Sequence, residues 1–199
     1  DLNLTYGANL GRTAESIYAS YQTGATGAYT VYNSQWIAQP FDVATGDTLI
    51  LNSVSLFISD LVTSDTMTVE IRKNAAGTPG TSGADLIATA TLDGTLAYSW
   101  QNFAFSSPPT LAAGKYWICG ENTNTVAANA YAWYLDQFAA YSAGDVCLST
   151  NQGTTWATGD YASYFRVYGQ LIVAGYSTVG YYTSSVTTTS NYINAVKPY

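Results

Sequence analysis

Apolar and polar residues alternate in short runs along the middle of the chain, and each run stops at a cluster of Gly, Pro, Asn or Ser. The clearest run is Thr66–Lys73, where Met67, Val69 and Ile71 interleave with Thr68, Glu70 and Arg72. Successive side chains of an extended strand point to opposite faces, so this spacing buries one face and leaves the other to water. Leu49–Ser59 repeats the pattern, with Val54, Leu56 and Ile58 opposite Ser53, Ser55 and Phe57. Further strands are predicted at Leu86–Leu92, Trp100–Phe105, Lys115–Glu121, Tyr131–Leu135, Asp145–Ser149 and Tyr164–Gly169. Turn signals separate them: residues 74–83 (NAAGTPGTSG), Asp93-Gly94, Pro108-Pro109 and Asn151-Gln152-Gly153. Trp36–Phe41 is apolar but contains Pro40, which cannot donate to a ladder and belongs at an edge or strand end. Residues 10–21 have the composition most compatible with a helix, although their apolar spacing is poor.

Short strands at regular spacing predict an all-β fold, an antiparallel sandwich or jelly roll spanning residues 36–170. The flanking segments, 1–35 and 171–199, are rich in Tyr, Ser, Thr and Gly and are expected to be extended arms. Residues 176–196 are β-prone and uncharged, a composition suited to pairing with an open sheet edge, of this chain or of another copy.

Charge removes whole classes of function. The 199 residues hold 6 basic and 13 acidic side chains and no His, for a net charge of −7. Scattered basic residues supply no stripe for nucleic acid. No apolar run approaches the length of a membrane helix, so membrane insertion is not expected. Without His, Ser-His-Asp and Cys-His pairs cannot form, and Lys73, Lys115 and Lys197 sit in no supporting motif. The carboxylate pairs Asp42/Asp47 and Asp145/Asp160 flank turns, where Asp ordinarily bonds to nearby backbone. The expectation is a protein that is not an enzyme.

Four groups of residues are candidates for binding or modification. Asp42 and Asp47 in DVATGD bracket a Gly and offer two carboxylates to Ca²⁺, with turn capping as the alternative. Cys119 and Cys147 permit one disulfide, worth about 3 kcal/mol through loop closure, or are two buried thiols on separate strands. Asn3-Leu4-Thr5 is an N-glycosylation sequon. Trp133 and Tyr134 are strand neighbours, so they face opposite ways and only one is core. The outward one, with Asp136, Gln137 and Trp156, forms a candidate glycan platform, since sugars stack on aromatic rings while amides and carboxylates take their hydroxyls. The alternative is that Trp36, Trp100 and Trp117 are core and the others cover loops. Tyr, present 18 times, also suits contacts between copies of a chain.

From Gln39 to Gln170 the chain resembles the choice-of-anchor R domain family. The resemblance rests on Gln39–Phe41 (QPF), Leu51–Ser59 (LNSVSLFIS), Met67–Gly80 (MTVEIRKNAAGTPG), Trp100–Ile118 (WQNFAFSSPPTLAAGKYWI), Ser149–Trp156 (STNQGTTW) and Phe165–Gln170 (FRVYGQ). It implies a jelly-roll sandwich of a surface, secreted or phage structural protein, with no catalytic constellation to carry over. The expected function is therefore a non-enzymatic structural subunit that assembles with copies of itself, through its arms, into an extracellular filament, surface layer or virion coat. The alternative is a carbohydrate-binding or adhesion module. The expected location is extracellular, on a cell surface or in a virion.

Overall fold

The computed structural model describes residues 11–60, 65–94, 97–122, 124–125, 130–138 and 141–173. These residues form strands and no α-helix: β1 (Gly11–Arg12), β2 (Ser16–Tyr21), β3 (Gly27–Val31), β4 (Trp36–Asp60), β5 (Asp65–Ala75), β6 (Thr78–Pro79), β7 (Leu86–Gly94), β8 (Ser99–Ala104), β9 (Thr110–Glu121), β10 (Tyr131–Asp136), β11 (Cys147–Ser149), β12 (Ala157–Thr158), β13 (Ala162–Ser163) and β14 (Phe165–Val173). Every pairing between them is antiparallel.

The fold turns on β4. Two runs predicted as separate strands join into one strand of 25 residues. Its first half pairs with β9 on one flank and β11 on the other. Its second half pairs with β8 and β14, and its end with β10. The first half thus belongs to a layer ordered β12-β11-β4-β9-β5-β7, and the second to a layer in which β2 follows β14 and β3 follows β10. One strand crosses between layers where its ladder is interrupted. Val43 faces Gly114 and Thr48 faces Ala112, so residues 44–47 bulge out opposite Ala113 alone. Gly46 sits in the bulge at φ +92°, a conformation that side-chain-bearing residues rarely adopt.

The inward side chains record a second irregularity. They are odd-numbered through Ile37, Phe41, Val43, Leu49 and Leu51, then even-numbered at Val54, Leu56 and Ile58. The switch falls at Asn52, which is skipped in the ladder with β14: Leu51 faces Gly169 and Ser53 faces Tyr168. One extra residue flips the faces because the side-chain period is two. Met67, Val69 and Ile71 of β5 are fully buried, as their alternation predicts. Pro40 stands just past Ala38, where the ladder with β11 ends, so no donor is missed on that flank.

Trp133 joins the layers. It has no exposed surface, donates its indole N–H to the Tyr164 carbonyl at 2.9 Å, and lies over Gly120 of β9. A Cβ on Gly120 would stand 3.2 Å from the Trp133 ring and 3.1 Å from Met67 Cε, so the layers approach closely here and a side chain would push these neighbours by a few tenths of an ångström. Buried Gln39 adds a polar link, its side-chain carbonyl accepting the Ser163 N–H at 2.6 Å.

Two expectations are corrected. Residues 11–31 are not an arm. β2 lies along β14, β3 lies along β10, and Val31 is fully buried in the core. Within the helix-compatible residues 10–21 lie β1 and β2, because the segment gains β14 as a strand partner and Tyr18, Ala19 and Tyr21 gain a core to pack on. The sandwich likewise continues past residue 170 to Val173. The outer parts of both predicted arms, 1–10 with Asn3 and 174–199, lie outside the described residues.

Trp133→Ala is expected to lower the unfolding free energy by about 3–5 kcal/mol, the range for emptying a large aromatic site in a packed core. Trp133→Phe, which mainly removes the indole hydrogen bond, costs about 1 kcal/mol. Urea denaturation of both variants measures this; similar, small losses would mean that Trp133 is not the link between layers.

Candidate functional site

Because Val54, Leu56 and Ile58 turn inward, Phe57 turns outward. Directly across the ladder from it is Trp100 of β8. Phe103 and Phe105 are buried, and Trp100, on the other parity, reaches the outer face. On the other flank Phe57 N–H bonds to the Tyr164 carbonyl and Tyr164 N–H to the Tyr134 carbonyl, which sets Tyr134, Tyr164, Phe57 and Trp100 across neighbouring lanes.

These rings touch. Tyr98 stands edge-on to both Phe57 and Tyr134, with centroids 4.7 Å apart in each case, and Phe57 meets Trp100 at 5.4 Å and Tyr134 at 5.7 Å. Edge-to-face contacts of this kind favour the electrostatics of the rings and hold them upright. Tyr98 nevertheless keeps 60% of its surface exposed, the arrangement of a supported platform. Polar groups border it. Tyr134 and Ser59 hydroxyls lie 3.3 Å apart, and Ser55 donates to Asn102, whose side chain is exposed.

One cation sits at the edge of the rings. The Arg166 guanidinium carbon lies 3.9 Å from the Trp100 ring centre, within cation–π range. Gln22 of the β2–β3 connection holds it from the side, its Oε1 accepting from Nε at 3.2 Å and Nη2 at 2.7 Å. The two ion pairs of the described residues use Arg72 and Lys115, and neither involves Arg166.

The predicted glycan residues are therefore redistributed. Tyr134 is the outward partner and belongs to the face. Trp133 is core and offers no platform. Asp136 is 8% exposed and committed, accepting the Tyr21 hydroxyl and the Phe138 N–H. Gln137 is exposed at the end of β10, with its amide over Gly27. Trp156 caps a separate cluster of Ala38, Trp117, Cys119 and Cys147 on the outer side of the other layer. Phe57, Tyr98 and Trp100 were missed. The signal was present: Trp100 differs in parity from Phe103 and Phe105, as Phe57 differs from Leu56 and Ile58.

Cys119 and Cys147 are free, buried thiols, which corrects the disulfide alternative. Both pair with Ala38, Cys119 from β9 and Cys147 from β11, so a whole strand lies between them. Two strand spacings amount to about 10 Å, beyond the reach of a disulfide. Burial pushes both thiols up from their ordinary pKa, Cys119 most.

Asp42 and Asp47 flank the β4 bulge and hold it. Asp47 accepts the Tyr18 hydroxyl at 2.9 Å, and that hydroxyl accepts Ala44 N–H at 2.8 Å. Asp42 pairs with Lys115 at 3.1 Å. Both carboxylate bonds join side chains distant in sequence and differ from local turn capping, and among the described residues no three of His, Cys, Asp and Glu gather at one place.

A third polar group lies on the outer side of β5 and β9. Glu70 and Arg72 pair at 2.5 Å, and Arg72 also donates to the Gly80 carbonyl. Glu121, in register with Thr68, has its pKa raised to about 7, first by burial and then by the Glu70 charge, with Arg72 opposing.

The chain is thus an all-β antiparallel protein whose most developed surface is an aromatic face with one fixed cation. No protein-family model matches the chain, and no curated protein matches it.

Glu121 sets an expected pH dependence. A carboxyl whose folded pKa lies above the unfolded value of 4.5 binds a proton in the folded state that the unfolded chain releases. Its contribution favours folding at low pH and is lost as pH rises through about 7. Glu121→Gln is expected to melt higher than the parent at pH 8, with the gap closing toward pH 5.5. A gap independent of pH would refute the assignment.

Proposed function

We propose that the protein is a non-enzymatic, extracellular adhesion module that binds glycans on the face of Phe57, Tyr98, Trp100 and Tyr134. The observation that carries this reading is Tyr98, a ring 60% exposed yet braced edge-on by Phe57 and Tyr134. A rigid exposed ring offers apolar area to a sugar at little entropic cost, and the bordering Ser59, Tyr134 and Asn102 groups are of the kind that take sugar hydroxyls. The resemblance to the choice-of-anchor R family supports a jelly-roll arrangement of the two layers and a place on a cell surface, in a secretion or in a virion.

Self-assembly into a filament, surface layer or virion coat is the second reading. It is favoured by residues 174–199, among which Lys197 is the sole charge, so packing copies together there desolvates little charge. The two readings are compatible in a subunit that also adheres.

Tyr98→Ala and Trp100→Ala are each expected to weaken glycan binding about tenfold while leaving the melting temperature within a few degrees. A glycan array probed with the folded, soluble protein identifies the ligand, and silence across it would remove the reading. For assembly, deletion of residues 176–199 is expected to abolish filaments or lattices in negative-stain micrographs. Assembly that survives the deletion would remove the role given to that segment.

A further inference from the structure

We infer that the glycan taken by this face is acidic, and that Arg166 receives its carboxylate. This rests on the glycan reading above and names the ligand class.

The argument is one of charge. The chain carries net −7, so its overall field repels polyanions. Among the described residues, Arg72 and Lys115 are each drawn to a carboxylate of the protein. Arg166 is not. Its partners are a neutral amide, Gln22, and a neutral ring, Trp100. Gln22 takes Nε and Nη2, so the Nη1 side of the guanidinium fork remains for another acceptor. Ser20 and Ser55 are its neighbours across the two flanking ladders, and neither brings a negative charge.

A neutral sugar would not need this arrangement. Its ring would stack on Tyr98 or Trp100, and its hydroxyls would be served by Ser, Asn and Tyr. A guanidinium held by an aromatic ring and a side-chain amide is pre-ordered, so little rotamer freedom is lost when it meets a carboxylate, and the pair gains a charge-assisted hydrogen bond. Trp100 lies between Phe57 and Arg166, touching both. A uronic acid residue, whose carboxylate projects from the edge of its ring, matches a cation at the border of an aromatic platform. Stacking would hold the ring, and Arg166 would distinguish the acid from its neutral counterpart.

The test compares polygalacturonate, alginate and hyaluronan, each beside its carboxyl-reduced neutral form, by calorimetric titration at about 0.15 M salt, where screening acts beyond about 8 Å. The intact protein is expected to bind at least one uronate polymer about tenfold more tightly than its reduced form, the range of a charge-assisted hydrogen bond at a half-exposed site. Arg166→Gln is expected to erase that preference, bringing the ratio of the two affinities to about one. Gln22→Ala, which removes only the lateral hold, is expected to narrow it. Circular-dichroism melts of both variants confirm that each is folded; should Arg166→Gln fail to fold, Gln22→Ala and Arg166→Lys decide the matter. Equal binding of acidic and neutral forms, or a preference that survives Arg166→Gln and Gln22→Ala, overturns the assignment of Arg166 while leaving the glycan reading intact. Binding of neither form by the intact protein overturns both.

Discussion

The bulge at residues 44–47 is the constraint on which the two-layer arrangement depends. It lets a single strand leave one layer and enter the other: β9 pairs on both sides of it, β11 only before it, and β8, β10 and β14 only after it. The bulge has few apolar contacts of its own. A small polar network holds it: Tyr18 joins Ala44 to Asp47, and Lys115 reaches Asp42. Tyr18 comes from β2, on the far edge of the second layer, so the corner of the sandwich is fastened from outside. Burial pushes the Tyr18 hydroxyl up from its ordinary pKa, which keeps it a donor at any physiological pH.

Much of this was legible in the sequence. Strict alternation located β5 and the second half of β4, and the Gly/Pro/Asn clusters located the turns. What alternation could not show was continuity. DVATGD reads as a loop between two strands, and only pairing with β9 on both sides of it makes it a bulge within one. The N-terminal strands failed for another reason. SIYASY at 16–21 is half-buried on its inward positions and borders solvent, so its pattern is weak, and its strand state comes from β14, about 150 residues further on in the chain.

The site was legible in kind but not in place. Sequence reasoning correctly held that Trp133 and Tyr134 point opposite ways, yet nothing local says which is core. Trp133 lies over Gly120, a residue on another strand whose missing side chain leaves space for the indole. The alternative that placed Trp100 in the core overlooked the parity of WQNFAF, which puts Phe103 and Phe105 on the inward face. The pairing of Arg166 with Gln22 joins distant residues and carries no sequence signal.

The order of strands has a consequence for how the chain is made. β1, β2 and β3 open the described fold, but their ladder partners, β14 and β10, begin at Phe165 and Tyr131. During synthesis the first strands therefore emerge long before anything they can pair with. They wait as unpaired, Tyr-rich segments while β4, β5 and β9 assemble, and closing so long a loop slows the last step of folding. Among the described strands, the last to leave the ribosome fastens the first. Until it does, residues 16–31 present open backbone to any neighbouring chain, which makes the interval before closure the one in which copies of this protein are most exposed to one another.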